Sequence, residues 1–185
     1  MTTINRSDEG TCRGLGEDVG SVTRIVKLAL VGAGGSGKTT LATRLATGTF
    51  VNEKMTVGFD VESWTLSTET SGTFRISCFD FGGQQQFRFF QGALMIGAHA
   101  ALIVVDCTNF HSLLEVEEWM TIIQHIPDNR KIIVGTKIDL LCMISYQDIL
   151  EQAEKYNVHA IMVSSVTGEN FDKLEELLYD IASSS

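Results

Sequence analysis

The sequence is short of cations, of proline and of long apolar runs, and each shortage removes a class of protein. Lysine and arginine total 14 against 23 aspartates and glutamates, a net charge of −9 with a pI near 4.8. That balance supplies no clustered basic face, so a nucleic-acid backbone is not an expected partner. The longest apolar stretch, around Ala93 to Val105, is broken by His99 and falls short of the roughly 20 residues that span a bilayer. Cys12, Cys78, Cys107 and Cys142 lie far apart and form no Cys-x-x-Cys pair, which leaves a metal or disulfide framework without support and fits reduced thiols in a cytoplasm. The opening MTTINRSDEGTCRGLGEDVGSV has neither the apolar core of a secretory leader nor a glycine after the first methionine, and the closing DIASSS has no prenylation cysteine. No anchor is expected at either end. With one proline, 44% hydrophobic and 20% charged residues over 185 positions, the remainder is ordinary globular composition, long enough for one domain with a real core.

What is present is an alternation. Ile25 to Val31, Ala101 to Val105, Ile132 to Val134 and Ala160 to Val163 are short apolar runs suited to buried parallel strands. Each is followed by turn residues and a helix-period segment: Lys38 to Ala46, Leu113 to Ile126, Tyr146 to Tyr156 and Phe171 to Ala182. Val57, Phe59 and Val61 alternate with Gly58, Asp60 and Glu62, and STETSG forms a turn before Thr73 to Phe79, which reads as a hairpin. The expected fold is three-layer α/β, with a mostly parallel six-stranded sheet and one antiparallel edge strand. Residues 1–23 read as a flexible polar tail and 24–185 as the domain. Stripes at Leu113, Val116, Met120 and at Leu174, Leu177, Leu178 read as core packing, and the histidines show no ligand spacing.

Between the first strand and the first helix lies VGAGGSGKTTL. Gly32 to Thr39 satisfy Gly-x-x-x-x-Gly-Lys-[Ser/Thr] in the strand-to-helix context that this phosphate loop requires. Glycines let successive N–H groups curl around a phosphate, and the start of the helix adds its positive end. Gly34, Gly35, Ser36, Gly37, Lys38, Thr39 and Thr40 are the phosphate-side candidates. Lys38 would neutralise the β- and γ-phosphates, and the Thr39 hydroxyl would reach Mg²⁺.

The base is read far downstream, at VGTKIDL, Val134 to Leu140. The Asp139 carboxylate can accept from N1–H and the exocyclic amine of guanine, whereas adenine would set an acceptor against it. The Lys137 stem can lie along the base, and Thr136 can hydrogen-bond back to the phosphate loop. A third element, CFDFGGQQQF from Cys78 to Phe87, places Asp80 at a strand end to hold Mg²⁺ through a water. It also places Gly83 to bring its N–H to the γ-phosphate and Gln84 to orient an attacking water.

In this order the motifs resemble those of the small GTPases of the Ras superfamily, from about Arg24 to the C-terminus. GAGGSGKT is similar to the phosphate loop of Ras and Rab proteins, MTVGFDVES and DFGGQ to the two switches of Arf proteins, TKID to the Rho form of the base-reading motif, and SSVTGEN to the Rab-like Ser-Ala-Lys motif. The resemblance implies a G domain of the P-loop NTPase type that binds GTP and GDP with Mg²⁺. It implies that Thr56 closes over Mg²⁺ and the γ-phosphate, that Phe50 sets an aromatic edge against guanine, and that Ser164, Ser165 and Val166 meet the base. The metal set is then Thr39, Thr56 and Asp80, and the catalytic set Gln84, Lys38 and Thr56. Val166 stands where the family has lysine, and Gly34 where Arf proteins have aspartate.

The expected activity is slow GTP hydrolysis in a switch of signalling or vesicle trafficking, with two loops ordered by the γ-phosphate. The implied partners are an exchange factor, an activating protein that supplies an arginine, and effectors. The chain is expected to be monomeric and cytoplasmic, with peripheral membrane contact only through a partner. Two alternatives stand beside this reading: a GTP-binding structural subunit with little hydrolysis, and an ATP-using phosphoryl transferase, which would have to set TKID and SSVTG aside.

Overall fold

A computed structural model of the chain describes residues 24–52, 59–68, 72–81 and 95–184. Six strands, β1 (Arg24–Gly32), β2 (Phe59–Thr68), β3 (Gly72–Phe81), β4 (Ala100–Asp106), β5 (Lys131–Thr136) and β6 (His159–Met162), form one sheet in the order β2-β3-β1-β4-β5-β6. The hairpin partner β2 runs antiparallel at the edge, and the other pairings are parallel. This is the mixed sheet expected from the apolar runs and the hairpin signal.

The helices are α1 (Lys38–Thr47), α2 (Phe110–Leu114), α3 (Val116–Ile122), α4 (Tyr146–Tyr156) and α5 (Phe171–Ser183). The strand period of two sorts the core. Val26, Leu28 and Leu30 of β1 enter one cluster with Leu41 and Leu45 of α1 and Leu174, Leu178 and Ile181 of α5. Ala29 and Val31 enter the other with Val116, Trp119 and Met120 of α3 and Ile149 of α4. Helices on both faces of a sheet explain why β1 and β4 are apolar at consecutive positions. Each fully buried leucine or isoleucine contributes roughly 1.5–3 kcal/mol.

One helix differs from the sequence expectation. The segment expected from Leu113 to Ile126 starts at Phe110, where the Asn109 side chain caps the His111 N–H at 3.1 Å, breaks at Glu115 and ends at Ile122. Its last apolar residues, Ile123 and Ile126, are buried from a tight turn rather than a helix. The start of α4 carries a reciprocal cap: the Asp148 carboxylate accepts from the Ser145 N–H at 2.7 Å, and the Ser145 hydroxyl accepts from the Asp148 N–H at 3.3 Å. Contact with the Ser145 hydroxyl, then with its N–H, holds the Asp148 carboxyl below its ordinary value.

The strand registers place the site. Gly32 pairs with Val104, and Asp106 with Thr136, so the loops after β1, β4 and β5 emerge side by side at the carboxyl ends of the parallel strands. Ligands of open α/β sheets bind at that edge.

Candidate nucleotide site

The loop after β1 is shaped by glycines at two places, one where a Cβ would clash and one where the backbone is left-handed. A Cβ on Gly32 would stand 2.2 Å from the Val104 carbonyl oxygen. Gly37 has φ of 88° and begins α1 without offering a side-chain cap. A helix start left uncapped by side chains at the end of a tight glycine loop suits an anion, through its N–H groups and the helix dipole. Lys38, only 5% exposed, donates from Nζ to the carbonyls of Gly32 at 2.9 Å and Ala33 at 2.8 Å, which fixes the ammonium against the loop. Gly34 and Gly35 are exposed at the tip, and Thr39 and Thr40 are half-buried in the first turn of α1.

Two residues at the end of β5, Thr136 and Lys137, tie this loop to the TKID segment. The Thr136 hydroxyl donates to the Ser36 carbonyl at 2.7 Å across a separation of 100 residues. Lys137 donates from Nζ to the Gly35 carbonyl at 2.7 Å and to the Asp106 carboxylate at 2.7 Å. Its backbone takes φ of 62°, a left-handed conformation that a non-glycine residue seldom adopts, and one that accumulates at functional sites. Ser36 contributes through its backbone, since its side chain is fully buried and its Oγ has no hydrogen-bond partner among the described residues.

Asp106 is the anchor of Lys137. Burial pushes its carboxyl up, but hydrogen bonds from Lys137 and from the side chain and backbone of Thr108 outweigh that and bring it below the ordinary value of 3.8. The distances, 2.7 Å from Lys137 Nζ and 2.7 and 2.9 Å from Thr108, are those of charge-assisted bonds. Next to it, burial first, then Cys142 and Asp106, push the Cys107 thiol up to about 12.

Beside the loop lies a cavity of about 310 Å³ whose walls include Thr40, Phe50, Lys137, Asp139, Ser165 and Val166. That volume is at the small end of ligand pockets. Phe50 is 43% exposed and Val166 51% exposed, so a flat apolar guest would gain contact with both. Asn52 and Leu140 also line it, although neither is singled out by the motifs. Ser164 is brought near but does not line the cavity. It is fully buried, and its hydroxyl donates to Asp139 Oδ1 at 2.6 Å while accepting from the Thr167 N–H at 3.1 Å.

The segment from Ser164 to Gly168 is held by a residue that motif reasoning misses. Arg44, on the last turn of α1, donates from Nη1 to the carbonyls of Ser165 at 2.6 Å and Val166 at 3.3 Å, and its guanidinium lies 5.2 Å from the centre of the Phe171 ring. No local signal marks Arg44 or Asp106, since both act on segments far away in sequence. Of the remaining candidates, Asp80 has its backbone opposite Leu30 in the β1–β3 register, while its side chain lies outside the described residues. Thr56, Gly83 and Gln84 lie outside the described residues altogether.

The arrangement fits a nucleoside triphosphate. It joins a helix start without a side-chain cap to a buried ammonium, and beside them lies a cavity with an aromatic edge and the Asp139 carboxylate in its wall. The family model described as Ras family matches residues 27–183. Rab-27B of Rattus norvegicus is 30% identical over 178 residues, covering 88% of this chain and 81% of the relative. The Rab-1 protein of Theileria parva is 30% identical over 155 residues, 80% of this chain and 70% of the relative. The SEC4 protein of Candida albicans is 31% identical over 169 residues, 86% of this chain and 76% of the relative. The chain belongs to the Ras family, and is a small GTPase that binds GTP and GDP with Mg²⁺, hydrolyses GTP and acts as a switch between the two states.

Proposed function

We propose that residues 24–185 are the nucleotide-binding domain, with residues 1–23 as a polar tail, and that the phosphates lie along Gly34 to Thr40 while guanine enters the cavity against Phe50, Lys137 and Asp139. The observation that carries this is the bond from the Thr136 hydroxyl to the Ser36 carbonyl. It makes the phosphate loop and the base-reading segment one rim, so that a single ligand spans both.

On this reading Lys38 supplies charge to the β- and γ-phosphates, and Asp139 accepts from the two guanine donors that adenine lacks. Ser164 orients Asp139, and Ser165 and Val166 meet the base through their backbone. Thr39, Thr56 and Asp80 form the metal set, oxygen donors throughout, which suits a hard cation. Held by these residues, Mg²⁺ would supply positive charge against the phosphates as negative charge develops in transfer. Gln84 orients the attacking water, and Thr56 and Gly83 hold the γ-phosphate and let go when it leaves.

Members of this family work with exchange factors, activating proteins and effectors. For this chain the activating protein inserts an arginine past Gly34, at the exposed tip of the loop, with a gain of about a thousandfold to a hundred-thousandfold. Gly34→Val tests that step, since partner-stimulated hydrolysis that survived the substitution would contradict it. The Arf-like character of the switches rests on MTVGFDVES and DFGGQ. No helix among the described residues is long and apolar enough to cross a membrane. A role in signalling or vesicle trafficking rests on the resemblance, a cytoplasmic setting on cysteines that form no Cys-x-x-Cys pair, and the monomeric state on the polar faces of the helices. The residue assignments are tested by loading Lys38→Ala and Thr39→Asn variants with labelled GTP, where affinity equal to that of the unaltered chain would show the loop to be misread.

A further inference from the structure

Among the described residues the sheet ends at β6, and no strand pairs with its outer side. Val163 N–H donates to the Gly135 carbonyl, which directs the odd-numbered residues of this strand toward β5. By alternation the backbone groups of Ala160 and Met162 face away from the sheet. Of these, the Met162 carbonyl accepts from the Asn170 side chain at 2.9 Å. An edge with outward N–H and C=O groups is a template for another strand.

A groove of about 650 Å³ runs along this edge, apart from the nucleotide cavity. One wall carries Ile138 and Tyr146, the latter 52% exposed. The other is α5, which presents Lys173, Glu176 and Asp180. Lys173 is engaged with Asn170 Oδ1 at 3.0 Å, and among the described residues Glu176 and Asp180 form no salt bridge. Four residues on a helix rise about 6 Å, close to the roughly 6.6 Å between alternate residues of a strand. Glu176 and Asp180 are therefore spaced to meet every second side chain of a strand laid along β6.

We propose that this groove is a docking site for an extended partner segment that adds a seventh strand beside β6, with lysine or arginine at alternate positions toward Glu176 and Asp180 and apolar residues between them toward Ile138 and Tyr146. The acidic wall selects a basic partner and disfavours a second copy of a chain whose own net charge is −9. The site is independent of the nucleotide assignments and stands or falls separately from them.

The test uses the full chain loaded with GDP and a short fluorescent peptide of alternating lysine and valine, followed by anisotropy. Saturable binding is expected, weakened about tenfold by the double substitution Glu176→Lys, Asp180→Lys. GDP release from the double variant is expected to be unchanged, which reports an intact domain. N-methylation of alternate peptide amides keeps the charges and removes the strand bonds, and is expected to abolish binding. Failure to saturate, equal affinity for the double variant, or equal binding of the methylated peptide would each overturn the proposal. A chain dimer that the peptide displaces would assign the edge to a second copy and overturn it as well.

Discussion

Ser164 Oγ donates to Asp139 Oδ1 at 2.6 Å, so the carboxylate that faces the cavity is oriented by a side chain that does not line it. Hydrogen bonds to charged groups contribute about 1.5–3 kcal/mol, less where water competes, and Asp139 is exposed. Ser164→Ala is expected to weaken GDP binding by about tenfold, with little change in melting temperature. Isothermal titration measures it, and an unchanged affinity would remove Ser164 from the site.

Asp139→Asn should move base preference from guanine toward xanthine, because an amide donates where the carboxylate only accepts. Competition between GTP and XTP for the variant gives the answer. Continued preference for guanine would count against Asp139 as the reader.

Arg44 reaches the loop after β6 from α1, with its Nη1 2.6 Å from the Ser165 carbonyl. Arg44→Ala removes that bond and the contact with Phe171, at a cost of about 1–2 kcal/mol in all. Faster GDP release is expected, read by displacement of a fluorescent analogue. Unchanged release with a lower melting temperature would restrict Arg44 to packing.

The ion pair of Asp106 with Lys137 should show in acid. Because the folded carboxyl titrates below its ordinary value, the pair's stability is fully present above the unfolded aspartate range and is lost as pH falls through the folded value, below about pH 4. Urea midpoints for the unaltered chain and Asp106→Asn should differ at neutral pH and converge in acid. A gap that stayed constant would contradict the assignment.

Thiol chemistry separates two neighbouring cysteines. Cys142 is exposed, whereas Cys107 is buried with its thiol pushed up to about 12. Iodoacetamide at neutral pH should label Cys142 in the native chain and reach Cys107 only on unfolding. Peptide mapping reads this directly, and early modification of Cys107 would contradict its burial.

Much of this was legible in the sequence because the governing signals are local. The buried parallel strand Ala100–Asp106 is apolar up to its last residue, and the phosphate loop and TKID begin where strands end. Arg44 and Asp106 escaped because their roles exist only once the sheet is assembled through β6, which brings Ser165 to Arg44 and Lys137 to Asp106. Likewise, the helical period alone does not reveal the break at Glu115, since Val116 and Trp119 beyond it are buried as an unbroken helix would bury them.

The central claim is tested most directly by loading the purified chain with GTP and Mg²⁺, incubating it alone, and following the bound nucleotide by chromatography. Slow conversion to GDP is the predicted result. GTP that persisted unchanged under those conditions would contradict the account of this chain as a hydrolytic switch.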